Sequence, residues 1–154
     1  MLTSVVLKDA ASINSITVNN ATYPLEKFDW GPDLIGDDLR KMDGPGRHFN
    51  FKHVETMPIT MEGHILADST SAYWTARKAL LAIVIPDYTQ VIPIHGTINI
   101  VLDGDAETYF TRIILKSSDV PLQALYPTVT PFMFQWESFD GYWLKLSDFQ
   151  AAKI

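Results

Sequence analysis

The stretch from Pro58 to Asp105 constrains the fold of this chain more than any other part of the sequence. It holds an alternating run, a capped helical run and a second alternating run in close succession. In the first run Ile59, Met61 and Ile65 share one side, and alternation at period two is typical of a half-buried strand. The order predicts a compact β-α-β unit, in which a helix packs on a sheet.

The middle run predicts one principal helix. Asp68-Ser-Thr-Ser71 offers side-chain oxygens that can accept from the free amides at a helix start. Pro86 should end the helix by about Val84 or Ile85, because proline disfavours helix in the residue before it. Since the polar face is narrow, we expect the helix to cover a sheet and to be partly enclosed on a second side. Its apolar face holds Tyr73, Ala76, Leu80 and Ile83.

Two further features predict a hairpin and a last strand. Asp103-Gly-Asp105 separates the alternating run before it from the run Thr108 to Lys116, and Asp-Gly between such runs is a strong hairpin signal. The run from Thr128 to Phe139 places aromatic residues at alternate positions and predicts a strand with both faces partly covered. One side carries Phe132, Phe134, Trp136 and, in looser register, Ser138, and the other carries Met133, Gln135, Glu137 and Phe139.

The remainder of the chain completes the predicted fold class. Residues 2–7 and 14–18 predict an opening hairpin or an edge strand. From Tyr23 to Met57 the pattern is punctuated by turn residues, and we interpret it as a long irregular segment. With about seven strands and one helix, residues 1–154 are predicted to form a single β-rich α+β domain, similar to a β-sandwich with a helix packed on it.

Composition excludes several classes of function. The chain has 154 residues and no cysteine, which excludes disulfides, thiolate metal sites and cysteine nucleophiles. Its net charge is −6 and its 12 basic residues are scattered, which argues against a nucleic-acid-binding surface. No run approaches the roughly 20 apolar residues of a membrane span, and the first residues lack a secretory signal pattern. We therefore expect synthesis in a cytoplasm and no membrane partner.

Residues that could carry chemistry have simpler structural explanations. The four histidines have no metal-ligand spacing, and Asp103-Gly-Asp105 lacks the order of a calcium loop. Gly44 to Arg47 does not open a helix, so its amides have no reason to converge on a phosphate. Asp37 and Asp38 stand in a polar context that suits solvated carboxylates. The sequence predicts no catalytic residues, no cofactor and no metal.

Three segments together resemble the N-terminal domain of siphophage distal tail proteins. They are the strand Ile59-Thr-Met-Glu-Gly-His-Ile65, the helix with Trp74-Thr-Ala-Arg-Lys-Ala-Leu-Leu81, and the closing run Phe132 to Trp143. The resemblance covers roughly residues 50 to 145. It implies a β-sandwich-like domain with one helix, six copies of which form a ring between the tail tube and the tip, hub or fibre proteins of the virion.

The resemblance also implies how such a ring is built. The segment from Tyr23 to Met57 corresponds to loops through which neighbouring subunits embrace, and DNA is expected to pass through the ring without specific binding. The chain stops at Ile154, so we carry over no C-terminal carbohydrate-binding module. The family has no catalytic residues to transfer. The candidate interface residues are Trp30, Arg47, Arg77, Lys78, Arg112 and Trp143.

Two alternatives from other classes stay open at this point. The first is a small carbohydrate- or ligand-binding β-sandwich that uses Trp30, Trp74 or Trp143 as a stacking platform, because aromatic rings bury much area and present polar tips. The second is a hydrolase whose site is assembled from His64, His95 and distant carboxylates. Both histidines lie on predicted strands and could come close in space.

Overall fold

The structure is a computed structural model that describes residues 2–31, 33–40, 47–87, 89, 94–122, 128–152 and 154, with the backbone alone for 32–56 where it is described. This part of the chain holds eleven strands and one helix. In chain order they are β1 (Leu2–Asp9), β2 (Ser15–Val18), β3 (Leu25–Trp30), β4 (Asp33–Arg40), β5 (Arg47–Thr56), β6 (Pro58–Leu66), α1 (Thr70–Val84), β7 (Gly96–Leu102), β8 (Thr108–Asp119), β9 (Val129–Ser138), β10 (Trp143–Lys145) and β11 (Ala151–Ala152).

Nine strands form one antiparallel sheet, which confirms the predicted β-rich α+β class. The main path runs β2-β1-β7-β8-β9-β6-β3, and β10 pairs with both β8 and β11. The predicted Asp-Gly hairpin joins β7 to β8, with Val101 opposite Thr108 and Gly104 at a φ of 77°. The opening hairpin of β1 and β2 is confirmed as well, and β2 is an edge strand.

Strand β8 belongs to two groups of strands. Its first part, up to Ile113, pairs with β7, and its second part, from Ile113 onward, pairs with β9. The free side of the first part pairs with β10. We call β1, β2, β7, β10, β11 and the start of β8 the first half-sheet, and β3, β6, β9 and the end of β8 the second half-sheet. A strand that changes partners in this way makes a corner, as in sandwich folds.

Both half-sheets line one hydrophobic core. The alternation of β6 and β9 places Ile59, Met61, Phe134 and Trp136 inside, each 2% exposed or less. Val5, Leu7, Ile98 and Ile100 of the first half-sheet belong to the same cluster. The half-sheets also meet directly, because the rings of Trp30 on β3 and Trp143 on β10 lie 5.6 Å apart.

Helix α1 lies across the sheet and contacts β1, β2 and β6, so it touches both half-sheets. Ser69 caps its start by accepting from the Ala72 amide at 3.2 Å, and its last backbone bond runs from Ile85 to Leu81 at 2.9 Å, where Pro86 predicts the end. Tyr73, Ala76 and Leu80 are buried as predicted, Ile83 is partly buried against the same core, and Val84 is buried in addition. The predicted enclosure on a second side is limited among the described residues: half-buried Arg77 bonds to the chain after β8, whereas Trp74, Lys78, Ala79 and Ala82 are exposed.

The predicted β-α-β unit is not a compact unit. Strands β6 and β7 flank α1 in sequence, but β9 and β8 stand between them in the sheet and their directions are opposite. The helix therefore connects strands of different half-sheets. The local pattern was interpreted correctly, but the pairing of its strands depends on β8 and β9, which come later in the chain.

The interpretation of Tyr23 to Met57 as irregular is wrong. This segment contains β3, which pairs with β6, and the antiparallel hairpin of β4 and β5, whose pairing runs from Asp33 with Thr56 to Arg40 with Arg47. Residues 41–46 lie outside the described part of the chain. Register shifts interrupt both pairings, and each inserted residue breaks the period-two alternation that signals a strand.

Candidate assembly surface

The aromatic candidates lie at the contact between the half-sheets. Trp30 is half-buried and its ring lies 5.6 Å from those of Phe28 and Trp143. Trp143 is 2% exposed, so its ring packs in the protein's own core rather than on a surface that another chain would meet. Two of the six predicted interface residues, Trp30 and Trp143, therefore pack against each other. The side chains of Trp30 and Phe28 remain partly exposed to solvent on the edge strand β3.

The basic candidates on α1 differ in their exposure. Lys78 is exposed on the outward face of the helix. Arg77 is half-buried and its Nη2 donates to the carbonyl of Val120 at 2.7 Å, so this guanidinium ties the helix to the chain that follows β8. Lys78 is therefore the more accessible of the two. Arg47 begins β5, and its side chain lies outside the described part of the structure.

Arg112 is held at the corner of the sheet. Its backbone amide donates to Asp140 Oδ2 at 2.9 Å, its Nε donates to Oδ1 at 3.0 Å, and its Nη2 also pairs with Oδ1. The Asp140 side chain is 4% exposed, and this carboxylate raises the pKa of Arg112. The guanidinium also lies 5.2 Å from the centre of the Phe139 ring. Arg112 therefore stabilises the junction between β8 and β9, and 44% of its side chain remains exposed to solvent.

Hydroxyl groups support the same corner from the inside. Thr111 and Ser138 are buried and share a hydrogen bond of 2.5 Å, and Ser138 Oγ also accepts from the Gly141 amide at 2.9 Å. Each buried polar atom in this pair thus has a partner, as a protein interior requires. These hydrogen bonds hold the turn after β9 in place. The exposed rings of Phe139 and Tyr142 therefore project from a backbone that is fixed by buried contacts.

A groove beside α1 was missed by the sequence reasoning. The groove has a volume of about 810 Å³. It runs between small residues of the helix, such as Ala72 and Ala79, and the sheet edge formed by the last residue of β6 and the first residue of β9. Leu66 and Val129 form the last pair of these strands and remain 39% and 38% exposed. Tyr23 closes the groove by donating to the carbonyl of Ala76 at 2.9 Å. The sequence feature that indicates this groove is the spacing of the small residues Ala72, Ala76 and Ala79 along one side of the helix.

The two histidines of the hydrolase alternative are not brought together. His64 lies on β6, where its Nδ1 is 3.2 Å from a carboxylate oxygen of Glu26. His95 precedes β7, and β8 and β9 lie between β6 and β7 in the sheet. Among the described residues there is no group of three histidine or carboxylate side chains that could hold a metal ion.

The acidic turn between β7 and β8 is an ordered hydrogen-bonded turn. Asp105 accepts from the Tyr109 hydroxyl at 2.6 Å and from the Glu107 amide at 3.0 Å, and these bonds hold the pKa of Asp105 below its usual value. The same contact raises the pKa of Tyr109. Glu107 accepts from the hydroxyl of Ser147, which ties this turn to the chain after β10. The carboxylates are used within the turn, as the hairpin interpretation predicted.

No helix in the described ranges combines the length and apolar character that a bilayer span requires.

Comparison with known proteins gives information on the fold. No protein-family model matches the chain, and no curated protein matches it. A solved structure does match: the Dit protein of phage SPP1, described as a paradigm of the hub adsorption apparatus in phages that infect Gram-positive bacteria. The match has a TM-score of 0.58 and 4% sequence identity, and it covers 92% of this chain and 52% of that chain. The fold is similar to that of a phage hub protein.

This likeness confirms the predicted resemblance at the level of fold. The chain spans about half the length of the SPP1 Dit chain, and at 4% identity the likeness concerns the arrangement of strands and helix rather than individual residues. The similarity extends beyond the range 50 to 145 from which the resemblance was drawn, since it covers nearly the whole chain.

Proposed function

We propose that this protein is a structural, non-catalytic component of a phage virion. In this proposal copies form a hexameric ring at the distal end of a long tail, which joins the tail tube to tip, hub or fibre proteins after assembly in the host cytoplasm. The observation that carries the proposal is the fold match to the SPP1 Dit protein over 92% of the chain. The number six comes from the sequence resemblance alone.

The hairpin of β4 and β5 supports an assembling role. Its two strands pair with each other and form a sheet of their own, and neither packs extensively on another described element. An isolated two-stranded hairpin is marginal in water, and a segment that becomes ordered on binding loses conformational entropy only at that moment. A hairpin of this kind is suited to gain its support from a neighbouring copy.

The position of the hairpin favours head-to-tail contact. It leaves the main sheet at Gly31 and returns at Met57, immediately before β6, whereas the groove beside α1 lies at the other end of β6, near Leu66. A nine-residue strand separates these ends by about 27 to 30 Å. A contact between two different surfaces is heterologous, and a heterologous contact closes into a ring when the rotation allows. We propose this groove as the seat for the neighbour's hairpin.

Charge is consistent with passage of DNA without specific binding. The net charge is −6. Several basic groups on the main sheet are paired with carboxylates: Arg112 with Asp140, Lys116 with Glu137 at 2.8 Å, and Lys27 with Glu62 at 3.7 Å. A surface whose cations are partly neutralised attracts phosphate weakly, which suits a channel through which DNA slides.

Native mass spectrometry over a range of protein concentrations tests the proposal. We expect a discrete oligomer with a mass of six chains, and rings in negative-stain electron micrographs. A strictly monomeric mass at high concentration, with no rings, contradicts the proposal. Turnover of generic esters or phosphoesters that is lost when His64 or His95 is replaced would contradict its non-catalytic part.

A cross-linking experiment tests the seat of the hairpin. Because the chain has no cysteine, the pair Asn50→Cys and Ala79→Cys introduces the only two thiols. We expect oxidation to link separate copies into covalent oligomers. The matched control pairs Asn50→Cys with Lys116→Cys, which lies on β8 away from the groove, and should give little cross-linking. Equal cross-linking in both variants would contradict the seat while leaving the ring itself to the mass measurement.

A further inference from the structure

His95 takes an unusual part in the hydrogen bonding of the sheet. Regular pairing of β7 and β8 ends at Gly96 and Ile113. One residue earlier, the His95 amide donates to the carbonyl of Ile113 at 2.8 Å, and the amide of Leu115 donates to the ring nitrogen Nδ1 of His95 at 2.9 Å. The imidazole thus accepts the bond that a backbone carbonyl would accept in a regular ladder.

This bond lies where β8 changes partners. Ile113 pairs with Gly96 on one side and with Ser138 on the other, and the pairing with β9 shifts register between Leu115 and Ser117. Gly96 also lets β1 come close, because a Cβ at this position would lie 2.4 Å from the Lys8 carbonyl. The backbone next to His95 is therefore tightly placed, and the ring is directed to one particular amide.

The geometry defines the protonation state of the ring. A nitrogen that accepts a hydrogen bond carries no proton, so His95 is neutral here and its proton is on Nε2. When imidazole gains a second proton, both nitrogens become donors and the Leu115 amide loses its acceptor. Histidine in water undergoes this change near pH 6.5, within the range that biological compartments reach.

The charged groups named here around the ring have partners of their own. His95 lines a cleft of about 390 Å³ together with Asp9 at the end of β1 and Asp87 after α1. On the neighbouring strand, Arg112 is paired with Asp140 and Lys116 with Glu137, so their charges are compensated. Asp9 accepts from the backbone amides of Ile13 and Asn14, and Asp87 accepts from Thr89, so these carboxylates already have partners. A doubly protonated ring therefore loses the Leu115 amide as a partner.

We propose that His95 is a pH-sensitive hydrogen-bond acceptor at the strand junction: the neutral ring holds the Leu115 amide, and the doubly protonated ring releases it. The bond between His95 and Leu115 lies where the two half-sheets join. Its loss therefore weakens the connection between the half-sheets, while the β7–β8 ladder remains. It depends on this junction alone and not on the proposed ring.

Amide hydrogen exchange followed by nuclear magnetic resonance tests the proposal on the monomeric or assembled full chain. The protection of the Leu115 amide is measured between pH 8 and pH 5 relative to Ile100, which lies in the middle of β7. We expect this relative protection to fall by up to about tenfold for each pH unit below the midpoint of ring titration, since the neutral fraction falls by that factor.

Two variants separate the ring from other causes. His95→Asn keeps an acceptor near the position of Nδ1 without titrating, so the protection of Leu115 should stay nearly constant with pH. His64→Asn is the matched control, and it should retain the pH dependence of the native chain. A flat profile in the native chain, or the same pH dependence in His95→Asn, overturns the proposal.

A second measurement covers the case in which His95→Asn does not fold. In the native chain the chemical shift of the Leu115 amide and those of the His95 ring protons are followed together through the same pH range. We expect one common midpoint. Separate midpoints, or a Leu115 amide that does not respond while the ring titrates, overturn the proposal without any variant.

Discussion

The main sheet and the β4–β5 hairpin differ in how their strands gain stability. Every strand on the main path pairs with neighbours and many turn side chains into one core, so that Ile59, Met61 and Phe134 are fully buried. The hairpin is almost as long as the central strands, yet its strands pair only with each other. Hydrogen bonds are present in both regions, whereas pairing within the main sheet distinguishes the first.

This difference predicts which measured property a substitution should alter in each of the two regions. Burial of apolar area is the main favourable contribution to folding, and backbone hydrogen bonds contribute little net free energy because water competes for them. Changes in the main sheet should therefore alter the free energy of unfolding of a single chain. Changes in the hairpin should alter association and leave that free energy nearly unchanged.

The largest effect should follow from a cavity in the main sheet. Phe134 is fully buried, with the rings of Phe132 and Trp136 at 5.3 and 5.5 Å. We expect Phe134→Ala to lower the free energy of unfolding by about 3 to 5 kcal/mol, measured by urea denaturation. The control Phe149→Ala removes a ring that is 66% exposed and should cost less than about 1 kcal/mol. Equal losses would break the distinction between buried and exposed rings.

A smaller loss should follow from opening the corner. Asp140 is 4% exposed and accepts from both the amide and the guanidinium of Arg112. Asp140→Ala should lower the free energy of unfolding by about 1 to 2 kcal/mol, because a partly exposed guanidinium is screened and can hydrate again. Asp119→Ala, at the exposed end of β8, should change it by no more than about 0.5 kcal/mol in the same urea titration.

Removal of the hairpin should have less effect on the single chain. In a variant with a short glycine-serine linker in place of residues 33–55, we expect the free energy of unfolding at low protein concentration to stay within about 1 kcal/mol of the native value. The oligomer seen by native mass spectrometry should be lost. A loss of stability as large as that of Phe134→Ala would show that the hairpin belongs to the main core.

The smallest effect concerns pH and the turn between β7 and β8. The hydrogen bond from Tyr109 lowers the pKa of Asp105, so its stabilisation is present above the unfolded carboxyl value of about 3.9 and is lost as pH falls through the folded value. The same bond raises the pKa of Tyr109, so that contribution is lost again above about pH 10. Urea midpoints of Asp105→Asn should thus lie slightly below native near pH 7, and the gap should close toward both extremes. A constant gap would contradict this assignment.

The comparison also explains what the sequence could predict. Strands β6, β7, β8 and β9 alternate regularly because one side of each faces the core, and the signals at Ser69 and Pro86 mark the helix through local chemistry. Bulges in β3, β4 and β5 remove the alternation, so the pattern there resembles loop. The separation of β6 from β7 could not be predicted, because pairing across the sheet depends on distant segments.

The candidate assembly surface shows the same limit of prediction from sequence, here for single residues. Trp143 stands beside a glycine turn in sequence, which suggested exposure, but the packing of Trp30 against it buries the ring. Arg112 was predicted as an interface cation without its partner Asp140, which no local pattern connects to it. Residue type and spacing indicate which side chains can take part in an interface, and tertiary contacts decide which remain accessible.

The place of β1 between β2 and β7 has a consequence for the time course of folding. Strand β1 pairs along most of its length with β7, a strand that emerges only after α1, with Val5 opposite Ile100. Loops of this length close slowly, and proteins dominated by such distant pairings fold in milliseconds to seconds. During synthesis β1 therefore lacks this pairing partner until β7 has emerged. We expect stopped-flow refolding to place this chain in the slow class, and early chain termination to leave an edge that associates readily.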